Sequence, residues 1–592
     1  MLLAGITLSL FALLSTASCS SPSSPPTAHT LNGTYQGRHL PEFSQDLFLG
    51  VPFALAPRLR RSLPLNESWT GARDATRYTV ACYATYYDFA LDAVEATIGE
   101  ECLNLNIVRP AGATPESKLP VVVWIYGGGF IGGYGGDRNT NTSYTVRNSV
   151  ENGTPIIAVT INYRLGFLGF PGGRQAVVEG ITNLGLRDQR HALRWIQENI
   201  SAFGGDPGKV TLWGQSAGAI SIGHQVLAHG GRGAGTEKLF RGGIMVSGGA
   251  GFVTNALLPT HPNALAAYDD LLNATGCAGA EHTLDCVRRA PVDVVWNTTI
   301  KAPFPIWWPS IDGDFIQKPP TWQMLEGGVA PVSIVIGANN DEGLLTANAF
   351  GADAQTEDDA AAILRAAFPS ARDSTIQELL SAYTTTGPVL PPLTIPAAPD
   401  DPAQDIFCAA MREASMPCGP QYRRMAGLFG DYASIAWRRA TARAWAAAGL
   451  EAYSYRFDTN PTDIPIVKNA IAPGFATHSA EYAYFFNFPP GDDMLGLNPP
   501  VRNVSSHLQL SRDVSDKLIA FIATGDPNSF SVPTVPDWPV YSLSEPTNMA
   551  FNATASDDEI NTYVEPDTWR AEAMDLWVKY AVELSFGADW RP

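Results

Sequence analysis

KVTLWGQSAGAISIGHQ, residues 209–225, decides how this chain is read. Lys209 to Trp213 is a short β-branched, apolar run, as expected of a buried strand. Ala217 to Leu227 follows with helical character. Only Gly214, Gln215 and Ser216 separate the two, and Gly214-Gln215-Ser216-Ala217-Gly218 matches G-x-S-x-G. A turn that tight strains its central residue and pushes the hydroxyl outward. The adjoining strand and helix leave space only for small side chains, which is why glycines flank it. The Ala217 N–H falls at a helix start, where an unpaired donor and the helix dipole can face a developing negative charge.

A serine hydroxyl is a poor nucleophile until a base takes its proton, and its oxyanion needs donors. Tyr126-Gly127-Gly128-Gly129-Phe130 closes another apolar run, Val121 to Ile125. Consecutive glycines let backbone N–H groups approach a substrate oxygen closely. Each such donor is worth roughly 3–4 kcal/mol of transition-state stabilisation. The competing reading, a phosphate loop, needs G-K-[ST] after the glycines, and none follows.

Working outward, "KLPVVVWIYGGG", "TPIIAVTINYR", "KVTLWG" and "VSIVIG" (332–337) all read as strands covered on both faces. "NLGLRDQRHALRWIQENISAFGG" places Leu186, Leu193, Ile196 and Ile200 at helical spacing and stops at Gly204-Gly205. Alternating strand and helix predicts an α/β protein with a large, mostly parallel central sheet flanked by helices. The Ala-, Pro- and Asp-rich stretch from Phe350 to Cys418 reads as helical and loop insertions on that core.

The chain has 592 residues, 45% of them hydrophobic, and a net charge of -19. That acidity opposes nucleic-acid phosphate and anionic membranes, so no nucleic-acid partner is expected. Residues 1–20, MLLAGITLSLFALLSTASCS, carry no charge and end in small side chains. They read as a secretory signal peptide, although the usual Lys or Arg at its start is missing, with residues 21–592 as the mature domain. No later apolar stretch is long enough to span a bilayer, and the polar end "FGADWRP" predicts no lipid-anchor tail. Removing Cys19 with the signal leaves six cysteines in three local pairs: Cys82 with Cys102, Cys277 with Cys286, and Cys408 with Cys418. No C-x-x-C occurs, so no metal site is expected. Nine N-x-S/T sequons, beginning at Asn32, Asn66, Asn141, Asn152, Asn199, Asn273, Asn297, Asn503 and Asn552, fit N-linked glycans on a secreted surface.

The ordered segments "FLGVPFA", "EECLNLNI", "WIYGGGF", "INYRLGFLGF", "NLGLRDQRHALRWIQENISAFGGDP", "GQSAGA", "ANNDEG" and "THSAEYAYFF" resemble the type B carboxylesterase/lipase family. That resemblance implies the α/β-hydrolase fold and an oxyanion hole from the N–H groups of Gly128, Gly129 and Ala217. It implies a triad of Ser216, Glu342 and His478, with no cofactor. The residues alone reach the same place less narrowly. The fold orders its triad serine, acid, histidine. Asp341 rivals Glu342 in the loop after a buried strand, and only His478 and His507 follow. His507, beside a sequon, reads as lying on a surface helix. His191 reads as structural.

Substrate choice is thinly encoded. The resemblance makes Tyr83 to Glu101, nineteen residues inside the first disulfide, a small lid. It holds Tyr86, Tyr87 and Phe89 but no Trp; the resemblance then disfavours choline esters, because the family's choline-binding enzymes carry a tryptophan in this loop. The expectation is a secreted serine carboxylic ester hydrolase for soluble or moderately hydrophobic esters. The alternatives are a lipase on long-chain acylglycerols or sterol esters, and a silent adhesion module, which the complete set of catalytic residues argues against.

Overall fold

The computed structural model describes residues 24–587 apart from 86–95, 232–236, 253–257, 303–305, 345–346, 348–353, 384–404, 406–407, 410–411, 413–417, 462–474, 491–500 and 554–561. The expected signal peptide, most of the lid tip and the last five residues lie outside the described residues.

Eleven strands form the main sheet. In chain order they are β1 (Arg38–Leu40), β2 (Gln45–Pro52), β3 (Asn104–Pro110), β4 (Leu119–Ile125), β5 (Ile157–Ile161), β6 (Gly205–Gln215), β7 (Gly242–Val246), β8 (Ser333–Asn339), β9 (Ala452–Phe457), β10 (Thr547–Phe551) and β11 (Tyr563–Pro566). Across the sheet they run β11-β10-β9-β8-β7-β6-β4-β5-β3-β2-β1. Neighbours from β5 to β10 are parallel, while β1, β2, β3 and β11 pair antiparallel at the margins. Every residue of β5 and β7 is buried, as apolar, β-branched runs without polar alternation require.

Two adjacent glycines in β7 show that both faces are covered. A Cβ on Gly242 would meet Phe521 at 3.4 Å, and one on Gly243 would meet Ile222 at 3.0 Å. Successive strand residues point to opposite faces. Helix α5 (Ser505–Thr524), which carries Phe521, therefore packs on one side, and α2 (Ala217–Leu227), which carries Ile222, on the other. Helix α1 (Leu184–Asn199) runs on into a 3-10 turn, Ile200–Phe203, and Gly204 ends it at φ 92° before β6 begins. Helix α3 (Tyr422–Gly430) continues through a π turn, Asp431–Ile435, into α4 (Ala436–Ala447), which packs on β8 and β9.

This is the α/β sheet that the apolar runs predict. One expectation fails. His507 is on α5, but its side chain is buried and its Nδ1 lies 2.6 Å from the Tyr484 hydroxyl. The neighbouring sequon exposes Asn503, and one helical turn later the chain has rotated inward. The structure joins Cys82 to Cys102, Cys277 to Cys286 and Cys408 to Cys418. Among the described residues no helix is long and apolar enough to cross a membrane.

Candidate active site

β6 ends at Gln215 and α2 starts at Ala217, so Ser216 alone makes the corner. Its backbone sits at φ 54°, ψ -124°, a conformation costing of order 1–3 kcal/mol for a non-glycine residue. Two backbone bonds hold it there: Ser216 N–H donates to Val246 O and Ile220 N–H to Ser216 O, both at 2.9 Å. The flanking glycines are required sterically. A Cβ on Gly214 would lie 2.7 Å from the Gly218 carbonyl carbon, and one on Gly218 would run into the Ile125 carbonyl oxygen. Ser216 itself remains partly exposed.

The glycine loop leaves β4 beside this corner. Gly128 and Gly129 adopt φ 91° and 62°, and Phe130 follows at φ 60°. Gly128 is exposed and Gly129 half-exposed. Their turn is closed from within, because the Ile131 and Gly132 N–H groups donate to the Gly128 carbonyl at 3.1 and 2.8 Å. Ala217, buried, starts α2 directly after the serine.

The acid and histidine segments meet beyond the end of β8. Asp341 bridges to Thr477, and Asp341 N–H donates to Ala476 O at 2.9 Å. Glu342 engages the imidazole, with Oε2 2.6 Å from His478 Nδ1 and Oε1 accepting from Asn339 N–H at 2.8 Å. Gly343 permits this, since a Cβ there would strike the Ala426 carbonyl of α3. Glu342 is buried, whereas the His478 side chain keeps 19% exposure, enough to meet a substrate.

The aromatic run after His478 anchors its loop. Phe486 stacks on Trp213 of β6 at 4.5 Å and meets Trp124 of β4 edge-on at 5.0 Å. Burying one such ring contributes about 2–3 kcal/mol, and each aromatic pair about 1 more. The distant segment "THSAEYAYFF" is thereby fixed over the strand that ends at Ser216. Among the contacts this creates, His478 Nε2 lies 3.2 Å from the amide nitrogen of Gln215, the residue before the serine.

A second carboxylate, Glu481, was not singled out from the sequence. It is buried, accepts from Ser247 Oγ at 3.2 Å, and is hydrogen-bonded by Asn339 Nδ2. Burial and then the nearby Glu342 charge push its pKa up to about 7. Burial would lower the His478 pKa. The Glu342 carboxylate, through its charge and its hydrogen bond, and then Glu481 outweigh that and raise it. The only signal for Glu481 was an acid lodged between His478 and a run of aromatic residues.

The comparisons with known proteins agree with this architecture. In fold, the chain is similar to Aspergillus niger EstA, with a TM-score of 0.76 at 23% identity over 95% of this chain and 100% of that one. A doubly covered, mostly parallel sheet with a serine at the strand-to-helix corner is an α/β hydrolase. The description "Carboxylesterase family" matches residues 24–569, and the chain belongs to that family. It is 33% identical to "Secreted lipase 1" of Botryotinia fuckeliana (strain B05.10) over 75% of this chain and 80% of that protein. It is 34% identical to "Lipase 2" of Geotrichum candidum over 60% of this chain and 70% of that one. The protein is a carboxylic ester hydrolase.

Proposed function

We propose that Ser216, His478 and Glu342 form the catalytic triad and that the N–H groups of Gly128, Gly129 and Ala217 form the oxyanion hole. The observation that carries this reading is the 2.6 Å contact between Glu342 Oε2 and His478 Nδ1, with His478 Nε2 3.2 Å from the side-chain amide of Gln215, the residue before Ser216. Glu342 keeps the proton on Nδ1, so Nε2 is free to accept one. Ser216 Oγ attacks the ester carbonyl carbon as His478 Nε2 takes its proton. The tetrahedral oxygen is met by the three N–H groups. The alcohol departs with the proton from His478, leaving an acyl-serine. Water then attacks that carbonyl, again deprotonated by His478, and releases the acid.

The substrates we infer are soluble or moderately hydrophobic esters. A lipase activity on long-chain acylglycerols is the second reading, favoured by relatives whose names call them lipases. We also infer secretion, on the uncharged apolar leader and on the printed names of relatives such as "Secreted lipase 1". Exposed Asn66, Asn273, Asn297 and Asn503 support N-linked glycans at those positions, while buried Asn199 does not. Ser216→Ala tests the assignment. It should lower kcat on a soluble ester by about 10⁶-fold while the fold survives. Residual turnover within tenfold of wild type would place the nucleophile elsewhere. Assaying the wild type on short- and long-chain esters, with and without an oil–water interface, separates the two substrate readings.

A further inference from the structure

The side chain of Gln215 occupies a place that a spacer residue has no need to fill. It is buried, and its amide touches three groups. Nε2 donates to Ser479 Oγ at 2.9 Å, Oε1 accepts from the Tyr482 hydroxyl at 2.9 Å, and Nε2 faces His478 Nε2 at 3.2 Å. Gly127, in the glycine loop, makes the room, because a Cβ there would lie 2.9 Å from Gln215 Oε1.

Two of these partners are indifferent to which way round the amide sits. The Ser479 and Tyr482 hydroxyls can each donate or accept, so turning the amide by 180° costs neither bond. His478 alone discriminates. With Glu342 on Nδ1, the neutral imidazole offers a lone pair at Nε2 and selects the amide N–H. Once Nε2 carries the Ser216 proton it is a donor, and an amide N–H opposite it is repelled. The reversed amide presents Oε1 instead.

We propose that Gln215 is a positioning residue whose amide reverses with the protonation state of His478, holding Nε2 whenever neither the Ser216 hydroxyl nor the departing alcohol occupies it. The proposal rests on the triad assigned above. Its consequence is an imidazole oriented from the other side of the ring in both protonation states, with its base strength left to the carboxylates. The charged groups around His478 are Glu342 and Asp341 from the loop after β8 and Glu481 from the turn after His478 itself. Asp137, beyond the glycine loop, acts on Tyr482. Gln215 adds a partner at Nε2 without adding charge.

The test is the pH profile of kcat/KM on a soluble ester. Gln215→Glu has the same shape, but its carboxylate accepts only and favours the imidazolium. The acid-limb midpoint should rise by about one pH unit or more. Gln215→Met removes both the amide donor and the amide acceptor. The midpoint should stay within about 0.3 units while kcat falls about tenfold, with KM within about twofold. A Gln215→Glu midpoint at the wild-type value would mean that this side chain does not face Nε2 and would overturn the proposal. A readout free of folding defects is the wild type labelled with ¹⁵N at glutamine side-chain amides. One amide should titrate with the activity midpoint, and none doing so also overturns the proposal. An active Ser216→Ala enzyme would instead sink the triad. Inactive Ser216→Ala with an unmoved Gln215→Glu midpoint sinks only the role of Gln215.

Discussion

Replacing Glu481 with Gln should make the protein more stable at pH 8 than at pH 5, relative to wild type. The carboxyl has a pKa of about 7 in the fold, against 4.5 for an ordinary glutamate. The sign follows from proton uptake. Between these values the folded state holds a proton that the unfolded chain has released, so rising pH destabilises the fold. Working the two ionisations through, the penalty is about 1 kcal/mol at pH 5 and about 3 kcal/mol at pH 8. Gln does not ionise and escapes the difference, about 2 kcal/mol. The substitution also disturbs fixed contacts. Gln can still accept from Ser247, but its amide nitrogen opposes Asn339 Nδ2. Asn339 Oδ1 has no partner and can be turned toward it, at the expense of the bond from Nδ2 to Thr477 O. Such losses are the same at both pH values and cancel in the comparison. Urea unfolding of wild type and variant at pH 5 and pH 8 supplies the four free energies. A stability difference that stays constant between the two pH values, within about 0.5 kcal/mol, would mean that Glu481 is not held protonated and that the burial argument is wrong.

Other outcomes follow from the same geometry. Glu342→Gln leaves the shape but loses the charge and the fixed tautomer of His478, so kcat should fall about 10³–10⁴-fold. In a variant active enough to titrate, the acid-limb midpoint should drop, because the Glu342 charge is what raises the His478 pKa against burial. The wild-type acid limb should accordingly lie above the ordinary histidine value of about 6.5, with activity lost as pH falls through it. Asp567, buried against Arg438 at 2.6 Å, has a pKa lowered from 3.8 to about 2, the Arg438 charge outweighing the cost of burial. Its stabilisation is nearly complete above about pH 4 and is lost as pH falls through 2, so acid unfolding of wild type should gain about 2 kcal/mol of pH dependence in that window that Asp567→Asn lacks.

The strand-to-helix corner at Ser216 was legible because its constraints are local. Strand, glycine, serine, glycine and helix are consecutive, and the steric clashes that exclude larger side chains at Gly214 and Gly218 involve the immediate turn and β4. The acid and histidine were narrowed less, because what selects them is non-local. Asp341 and Glu342 are equivalent as letters. Only the pairing of Asp341 with Thr477 turns the Glu342 carboxyl onto His478. Glu481 and Gln215 were passed over for opposite reasons. Glu481 reads as an ordinary acid at a helix start, yet the aromatic rings after it carry it into the core. Gln215 occupies the variable position of its motif, yet the end of β6 points its amide at the imidazole. His507 was misjudged because an adjacent sequon says nothing about which way the next helical turn faces.

The most direct test is to inactivate the enzyme with one equivalent of a fluorophosphonate ester and map the adduct by peptide mass spectrometry. A single phosphonyl group on Ser216, formed in step with loss of activity and slowed by at least 10³-fold in His478→Ala, is the predicted result. Stoichiometric inactivation with the label on any other residue, or labelling of Ser216 at the wild-type rate without His478, would contradict the triad.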